Sequence, residues 1–287
     1  MRKINILLST LVLLSSSLLN SCNQNDETTI SVCASELPHA KILKEAVAPI
    51  LKENGYELKV EVLDWTIQNS AVATGEYDAN YFQHIPYLNS ENFEGEEELI
   101  AVAKVHYEKL CLYASDKDSN KQLDNGETIE IVNDVTNIER ALLLLNSYNI
   151  LTINESCYEK NTFTFDTSNP NSCVTFLPGY EDCKLTCILE SNLCVSLNDY
   201  NFGVIPGNTA LTGLGSDYAS KIVLSEKATQ ETISERANVI AVKKSNKDSA
   251  KTKALVEACK DQRVADYISN TFGESVLYYY EVIKQYK

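Results

Sequence analysis

Three histidines, an arginine at the start of a helix and a run of crowded cysteines are the residues of this 287-residue chain whose types and spacing could do chemistry. His39, His84 and His106 each stand at or near the end of a strand-like run. Together with Glu108 they form a nitrogen and oxygen donor set that could hold a zinc-type metal. No histidine-rich acidic loop accompanies them. Arg140 follows the polar turn Asn133-Asp134-Val135-Thr136-Asn137. A guanidinium fork in a helix's first turn, beside free backbone N–H groups, makes a site for a carboxylate. Cys157, Cys173, Cys183, Cys187 and Cys194 crowd into one stretch without the His or CxxC pairs of a zinc knot. Their number is odd, so at least one is free or pairs elsewhere, and the pairing stays open. Cys33, Cys111 and Cys259 lie in apolar segments and read as core residues. Catalysis needs a nucleophile with its base or paired carboxylates in set roles. Neither appears, and the phosphate-binding G-x-x-x-x-G-K-[ST] pattern is missing. The residues read as a binding site, not an enzyme, with no cofactor.

The elements that must position these groups alternate between strand and helix. A strand is predicted at Thr28 to Ala34. A helix follows over Pro38 to Glu53, with Ile42, Leu43, Ala46, Val47 and Ile50 at helical spacing and Gly55 as its stop. Further runs predict a strand at Leu58 to Leu63, a helix at Ile67 to Thr74, and strands at Asp78 to Phe82 and Glu98 to Val102. The polar run Ser115 to Glu127 marks a lobe boundary and lacks EF-hand spacing. Beyond it the pattern restarts with a strand at Ile129 to Val132 and a helix at Asn137 to Ser147 that buries Leu142 to Leu145. Ile153 to Asn198 shows the least regularity. Strands follow at Phe202 to Ile205 and Val239 to Val242. The tail is predicted helical over Ser249 to Cys259, Arg263 to Phe272 and Ser275 to Tyr286. This alternation argues an α/β fold, with ligands in the crevice beyond the carboxyl ends of the strands.

The N-terminus carries an address. Arg2 and Lys3 precede an uncharged, leucine-rich run from Ile4 to Leu19, which ends in Asn20-Ser21-Cys22. That is a secretory signal, short for a membrane span, with Cys22 placed as a lipidated N-terminus. The chain has 25 basic and 40 acidic residues, a net charge of −15. Cleavage before Cys22 removes Arg2 and Lys3 and takes it to −17. Such a balance excludes nucleic acid, which needs a basic footprint, and it keeps a surface protein soluble. The expected organisation is a signal peptide at 1–21, a tether at 22–27, a first lobe at 28–115 and a second lobe at 116–238. Residues 239–287 then return to the first lobe as a strand and C-terminal helices.

Several motifs, in order along the chain, resemble those of one known family. Pro38-His39-Ala40 resembles the family's PHA, and Asp64-Trp65 with Asn69 its D-Y-x-x-x-N. Asp78-Ala79-Asn80-Tyr81-Phe82-Gln83-His84 resembles D-A-N-x-F-Q-H, the most specific single match. His106 and Glu108 resemble H-x-E-P, and Asn133 to Leu145 resembles N-D-P-T-N-x-G-R-A-L-x-L-L. Gly207-Asn208 and Asn238 to Val242 resemble the later G-N and N-I-I-A-V. In this order and spacing the chain resembles the NlpA family of methionine-binding lipoproteins, and the resemblance implies a two-lobe, periplasmic-binding-protein-like fold (type II) with a ligand cleft between the lobes. It implies an extracytoplasmic receptor, held to the cell membrane by a lipid, which passes methionine or a related amino acid to an ABC importer's permease. Carried over, Arg140 clamps the ligand carboxylate, and Asn137, Asn208 and Asn238 are polar partners. Trp65, Phe82, His84 and Glu108 complete the pocket. Trp65 stands where the family has Tyr, and Val135 and Glu139 stand where it has Pro and Gly. The alternative is a metal receptor that uses His39, His84 and His106.

Overall fold

The computed structural model describes residues 27–286, apart from 92, 118, 119 and 161. Cys22 and the signal segment lie outside the described residues. Among those described, no helix is long and apolar enough to cross a membrane.

The first strand, β1 (Thr29–Ala34), leads into a helical segment. It opens with π-turns at Glu36–Ala40 and Leu43–Val47 and continues as α1 (Ala48–Glu53). Ile42, Leu43, Val47 and Leu51 from this segment are wholly buried. Gly55, at φ +83, turns the chain into β2 (Glu57–Val62) as the sequence predicts. Then come α2 (Trp65–Ala73), β3 (Ala79–His84), α3 (Ile85–Ser90) and the long β4 (Leu99–Tyr107).

The chain next enters a second sheet through β5 (Cys111–Ala114), followed by β6 (Thr128–Val132) and α4 (Val135–Ser147). A small insert carries β7 (Leu151–Ile153), β8 (Tyr158–Glu159), β9 (Thr162–Phe163) and β10 (Val174–Phe176). After it come β11 (Lys184–Ile188), α5 (Glu190–Tyr200), β12 (Phe202–Ile205), α6 (Gly207–Gly213) and β13 (Ile222–Ser225). Helix α7 (Gln230–Arg236) leads back to the first sheet. There lie β14 (Asn238–Lys243), α8 (Ala250–Cys259), α9 (Gln262–Phe272), β15 (Leu277–Tyr278) and α10 (Tyr279–Val282).

Two lobes result. The first holds a six-stranded sheet in the order β15-β4-β14-β3-β1-β2, and the second a five-stranded sheet in the order β11-β6-β12-β5-β13. Each has its own apolar core. One is built on Val32, Leu43, Tyr81 and Ile240, the other on Leu112, Ile131, Leu142 and Phe202. The chain crosses between lobes twice, at residues 108–110 and again between β13 and β14. The two crossings touch, because the Glu226 backbone N–H donates to the Leu110 carbonyl at 2.9 Å.

Several elements differ from the sequence expectation. Cys111–Ala114 pairs with β12 and β13 in the second sheet, so the first crossing comes before residue 115. The stretch expected to be irregular contains β11, which extends the sheet beside β6, and the eleven-residue α5. Their apolar residues are too few and too mixed with polar ones to show a period. Leu143, expected buried with its neighbours, is 44% exposed because it faces away from the sheet. The tail, expected helical from Ser275, first adds β15 to the sheet's edge and only then turns into α10. Among the crowded cysteines, Cys157 and Cys173 form a disulfide, while Cys183, Cys187 and Cys194 are free thiols. Cys33, Cys111 and Cys259 are buried, as expected.

Candidate functional site

The cavity between the lobes is lined by side chains from the end of β3, the start of β14 and the starts of α2, α4, α5 and α6. All eight residues predicted to contact a ligand, namely Trp65, Phe82, His84, Glu108, Asn137, Arg140, Asn208 and Asn238, line this one cavity.

Strand β3 supplies the apolar wall. Its pairing with β14 slips between Val239 and Ile240, which leaves Phe82 as the unpaired extra residue. Such a bulge re-aims a side chain, and Phe82 lines the cavity. Below it, Asn69, Asn80 and Gln83 hold one another through amide bonds of 2.6–3.0 Å. This closed, buried amide set accounts for the polar letters of the motif around β3 and fixes the strand that carries Phe82 and His84. Tyr87 stands at the centre of the aromatic wall, edge-on to Trp65 at 5.5 Å and to Phe82 at 5.8 Å. Sequence reasoning assigned Tyr87 no role. Its position three residues after His84, in the first turn of α3, was the available signal.

His84 joins the lobes. Its Nδ1 accepts the Tyr87 backbone N–H at 3.2 Å and caps α3. The proton therefore sits on Nε2, which faces Asn137 Oδ1 across the cleft at 3.3 Å. Burial, with Arg140 and Arg236 nearby, pushes its pKa down to about 3, so the ring is neutral. Asn137 is oriented in turn by Asp134, the cap of α4. That carboxylate accepts the Asn137 backbone N–H at 3.0 Å and its side-chain amide at 2.8 Å.

Arg140 lies one turn further along α4 and is buried. Its Nε and Nη2 grip the Glu226 carboxylate at 2.8 and 2.6 Å, and Nη2 also donates to the Glu108 carbonyl at 2.8 Å. Burial alone would lower its pKa, but the Glu226 charge raises it above the usual value. Nη1 donates to no described residue. The guanidinium thus has one edge fixed and one nitrogen still to give. Glu139 is the acid next to Arg140 in sequence, but the bonded acid is Glu226, 86 residues away. Nothing in local spacing announces that pairing.

The three histidines are not gathered as a metal receptor would need. His84 is engaged as described. His39 and His106 meet edge to face at 4.9 Å, and with Glu108 they bring donor atoms within 4.8 Å of one another. His106, however, uses both nitrogens, one on the Tyr81 hydroxyl and one on Glu108. His39 Nε2 meets Asn238 Oδ1 at 3.0 Å. Burial pushes His39 to about 4 and His106 to about 3, while it lifts Glu108 to about 7. This is a hydrogen-bonded brace beneath the cavity, and a metal would have to break it. It holds Asn238, which β14 places level with His84 on one side and His106 on the other. Gly207 must be glycine, because a Cβ there would lie 2.8 Å from the Glu108 carboxylate. Asn208, the next residue, lines the cavity. Glu190, at the start of α5, also lines the cavity and was not foreseen.

Comparison with known proteins gives one family. The family model described as NlpA lipoprotein matches residues 30–279. The methionine-binding lipoprotein MetQ of Bacillus subtilis is 30% identical over 95% of this chain and 97% of its own length. The D-methionine-binding lipoprotein MetQ of Escherichia coli is 25% identical over 91% and 93%. Among solved structures, a nutrient binding protein from Burkholderia cenocepacia bound to methionine superposes with a TM-score of 0.76. It is 26% identical and covers 87% of this chain and 99% of that one. The lipoprotein Tp32 of Treponema pallidum gives a TM-score of 0.74 at 26% identity, covering 88% and 99%.

Proposed function

The chain belongs to the NlpA lipoprotein family, and from that premise we propose that it captures methionine, or an amino acid much like it, for an ABC importer. One observation carries the reading: a single cleft between the lobes holds a buried guanidinium with an unengaged nitrogen at one side and an aromatic wall at the other. The α-carboxylate sits on Arg140 Nη1, near the start of α4, where backbone N–H groups add positive field. Asn137, Asn208 and Asn238 hold the ligand backbone. Trp65, Phe82 and Tyr87 enclose the side chain, and a thioether packs well against aromatic edges. His84 is neutral and serves as a polar wall and a bridge. Glu108, in the cavity wall, acts through His106 and Gly207.

The proposed location follows from the signal at the N-terminus and from relatives named as lipoproteins. Residues 1–21 are removed, Cys22 carries lipid, and the two lobes face outward from the cell membrane. The receptor performs no reaction; it closes on its ligand and hands it to the permease. Titration calorimetry with L-methionine, D-methionine, other amino acids and methionine dipeptides tests the reading. Saturable binding of a methionine form, stronger than that of unrelated amino acids, is expected. Absence of binding to any methionine form would overturn it.

A further inference from the structure

Three carboxylates line the cavity, and their surroundings separate them. Asp134 caps α4 and is engaged by Thr136 and by Asn137 twice. Glu108 is bonded to His106 and packed against Gly207. Glu190 has one partner: its Oε1 accepts the Thr209 hydroxyl at 2.5 Å. Its other oxygen accepts nothing from any described residue, and no described cation pairs with it. Arg140, the buried cation of the same cavity, is already neutralised by Glu226. Where Glu190 is ionised, the empty cleft therefore carries one uncompensated anion beside one unused guanidinium nitrogen. A carboxylate alone would bring a second negative charge into that space. A zwitterion brings its own counter-charge.

We infer that Glu190 receives the ligand's ammonium group and makes the cleft selective for free α-amino acids over des-amino and N-acylated ones. This rests on the reading of the protein as a methionine receptor. An ammonium has three donors; Glu190 supplies a charge-assisted acceptor, and Arg140 holds the carboxylate at the other end. Charge-assisted hydrogen bonds are the strong ones, so the pair discriminates by charge and not by shape. Burial raises the Glu190 carboxyl to about 7, with Asp134, Glu108 and Asp64 adding repulsion and the Thr209 hydroxyl opposing it. Without ligand it is thus partly protonated near neutrality, and an arriving ammonium favours the ionised form. Affinity for methionine rises as pH climbs through that range. Affinity for the des-amino acid falls, because the ionised Glu190 then faces a lone carboxylate.

Calorimetry on the unmutated protein and on Glu190→Gln, with methionine, des-amino methionine and N-acetylmethionine, tests the inference. Expected is a loss of methionine affinity of about tenfold or more in Glu190→Gln, the factor for one charge-assisted hydrogen bond. At about pH 5.5, where Glu190 is mostly protonated, des-amino methionine should bind within about threefold in both proteins, which also shows that the variant's cleft is intact. The rise of methionine affinity between about pH 5.5 and about pH 8 should flatten in the variant, which separates Glu190 from Glu108. Glu190→Asp should recover part of the loss. If the unmutated protein binds des-amino methionine as tightly as methionine, or if both ligands lose equally in Glu190→Gln, the inference fails while the receptor reading stands. If the unmutated protein binds no methionine form, both fail together.

Discussion

Arg140 is set between two anions, one permanent and one proposed. Removing it would leave Glu226 buried with only the Tyr107 hydroxyl and a backbone N–H for company. Arg140→Ala should therefore weaken methionine binding by about 2–5 kcal/mol, the range for breaking a buried charge pair. It should also lower the melting temperature, because an unpaired buried charge destabilises the fold. Calorimetry and thermal melting read the two effects separately, and unchanged affinity in a folded variant would rule out the clamp. A second residue reports on pH. Glu130 is wholly buried in the second lobe, fits only because Gly203 has no Cβ, and leaves Oε1 unbonded. Burial lifts its carboxyl to about 7. A carboxyl raised on folding adds stability that is complete at pH values below its unfolded pKa and is lost as pH rises through about 7. Glu130→Gln should remove this dependence, with a gain at alkaline pH on the order of 1–3 kcal/mol relative to acid. Denaturant melts across pH, on both proteins, check it. The eight expected residues that line the cavity were legible because their motifs are local, as in the run from Asp78 to His84. Glu226, Glu190 and Tyr87 were not, because their significance lies in contacts that only folding creates.

Elements were legible where a period was unbroken. The run of leucines in α4 and the apolar strands β1, β3, β12 and β14 stand out for that reason. Strands β5, β11, β13 and β15 do not, and each takes its state from the neighbour it pairs with. The cap of α4 has a consequence of its own. Asp134 accepts the Asn137 backbone N–H, one of the free donors in the first turn of the helix that carries Asn137 and Arg140. Asp134→Ala should cost about 1 kcal/mol of stability. It should also reduce methionine affinity, since both binding groups lose their anchor; a drop in stability with affinity untouched would separate the cap from the site. The Cys157–Cys173 bridge behaves differently. It closes a loop of sequence separation 16 in an insert away from the residues that line the cavity. Its removal by Cys157→Ser with Cys173→Ser should destabilise the protein by about 2–4 kcal/mol. Methionine affinity should stay within about twofold, and calorimetry would expose any larger change.

At the scale of the molecule, the alternation of strands and helices gave the class, and its restart after the polar loop gave two lobes. The place of the first crossing was not legible, because Glu108 to Leu110 looks like the end of one strand and the start of the next. The lobes meet through His84 and Asn137 at 3.3 Å and through Leu211 of α6, which packs against the first lobe's core. Ligand should shift the protein towards this closed arrangement. Small-angle scattering should show compaction on adding methionine, and His84→Ala should reduce it. Equal dimensions with and without ligand would mean that the lobes are already joined in its absence.

One guanidinium touches both strands of chain that tie the lobes together: it donates to the Glu108 carbonyl on the first crossing and to the Glu226 carboxylate on the second. A methionine carboxylate on the remaining nitrogen would hang from the same group as the two hinges. Departure of the ligand and parting of the lobes then become one event with one rate. Residence time is in that case a mechanical property, set by how easily the hinges yield, and a transporter that spread the lobes would empty the cleft without any chemistry of its own.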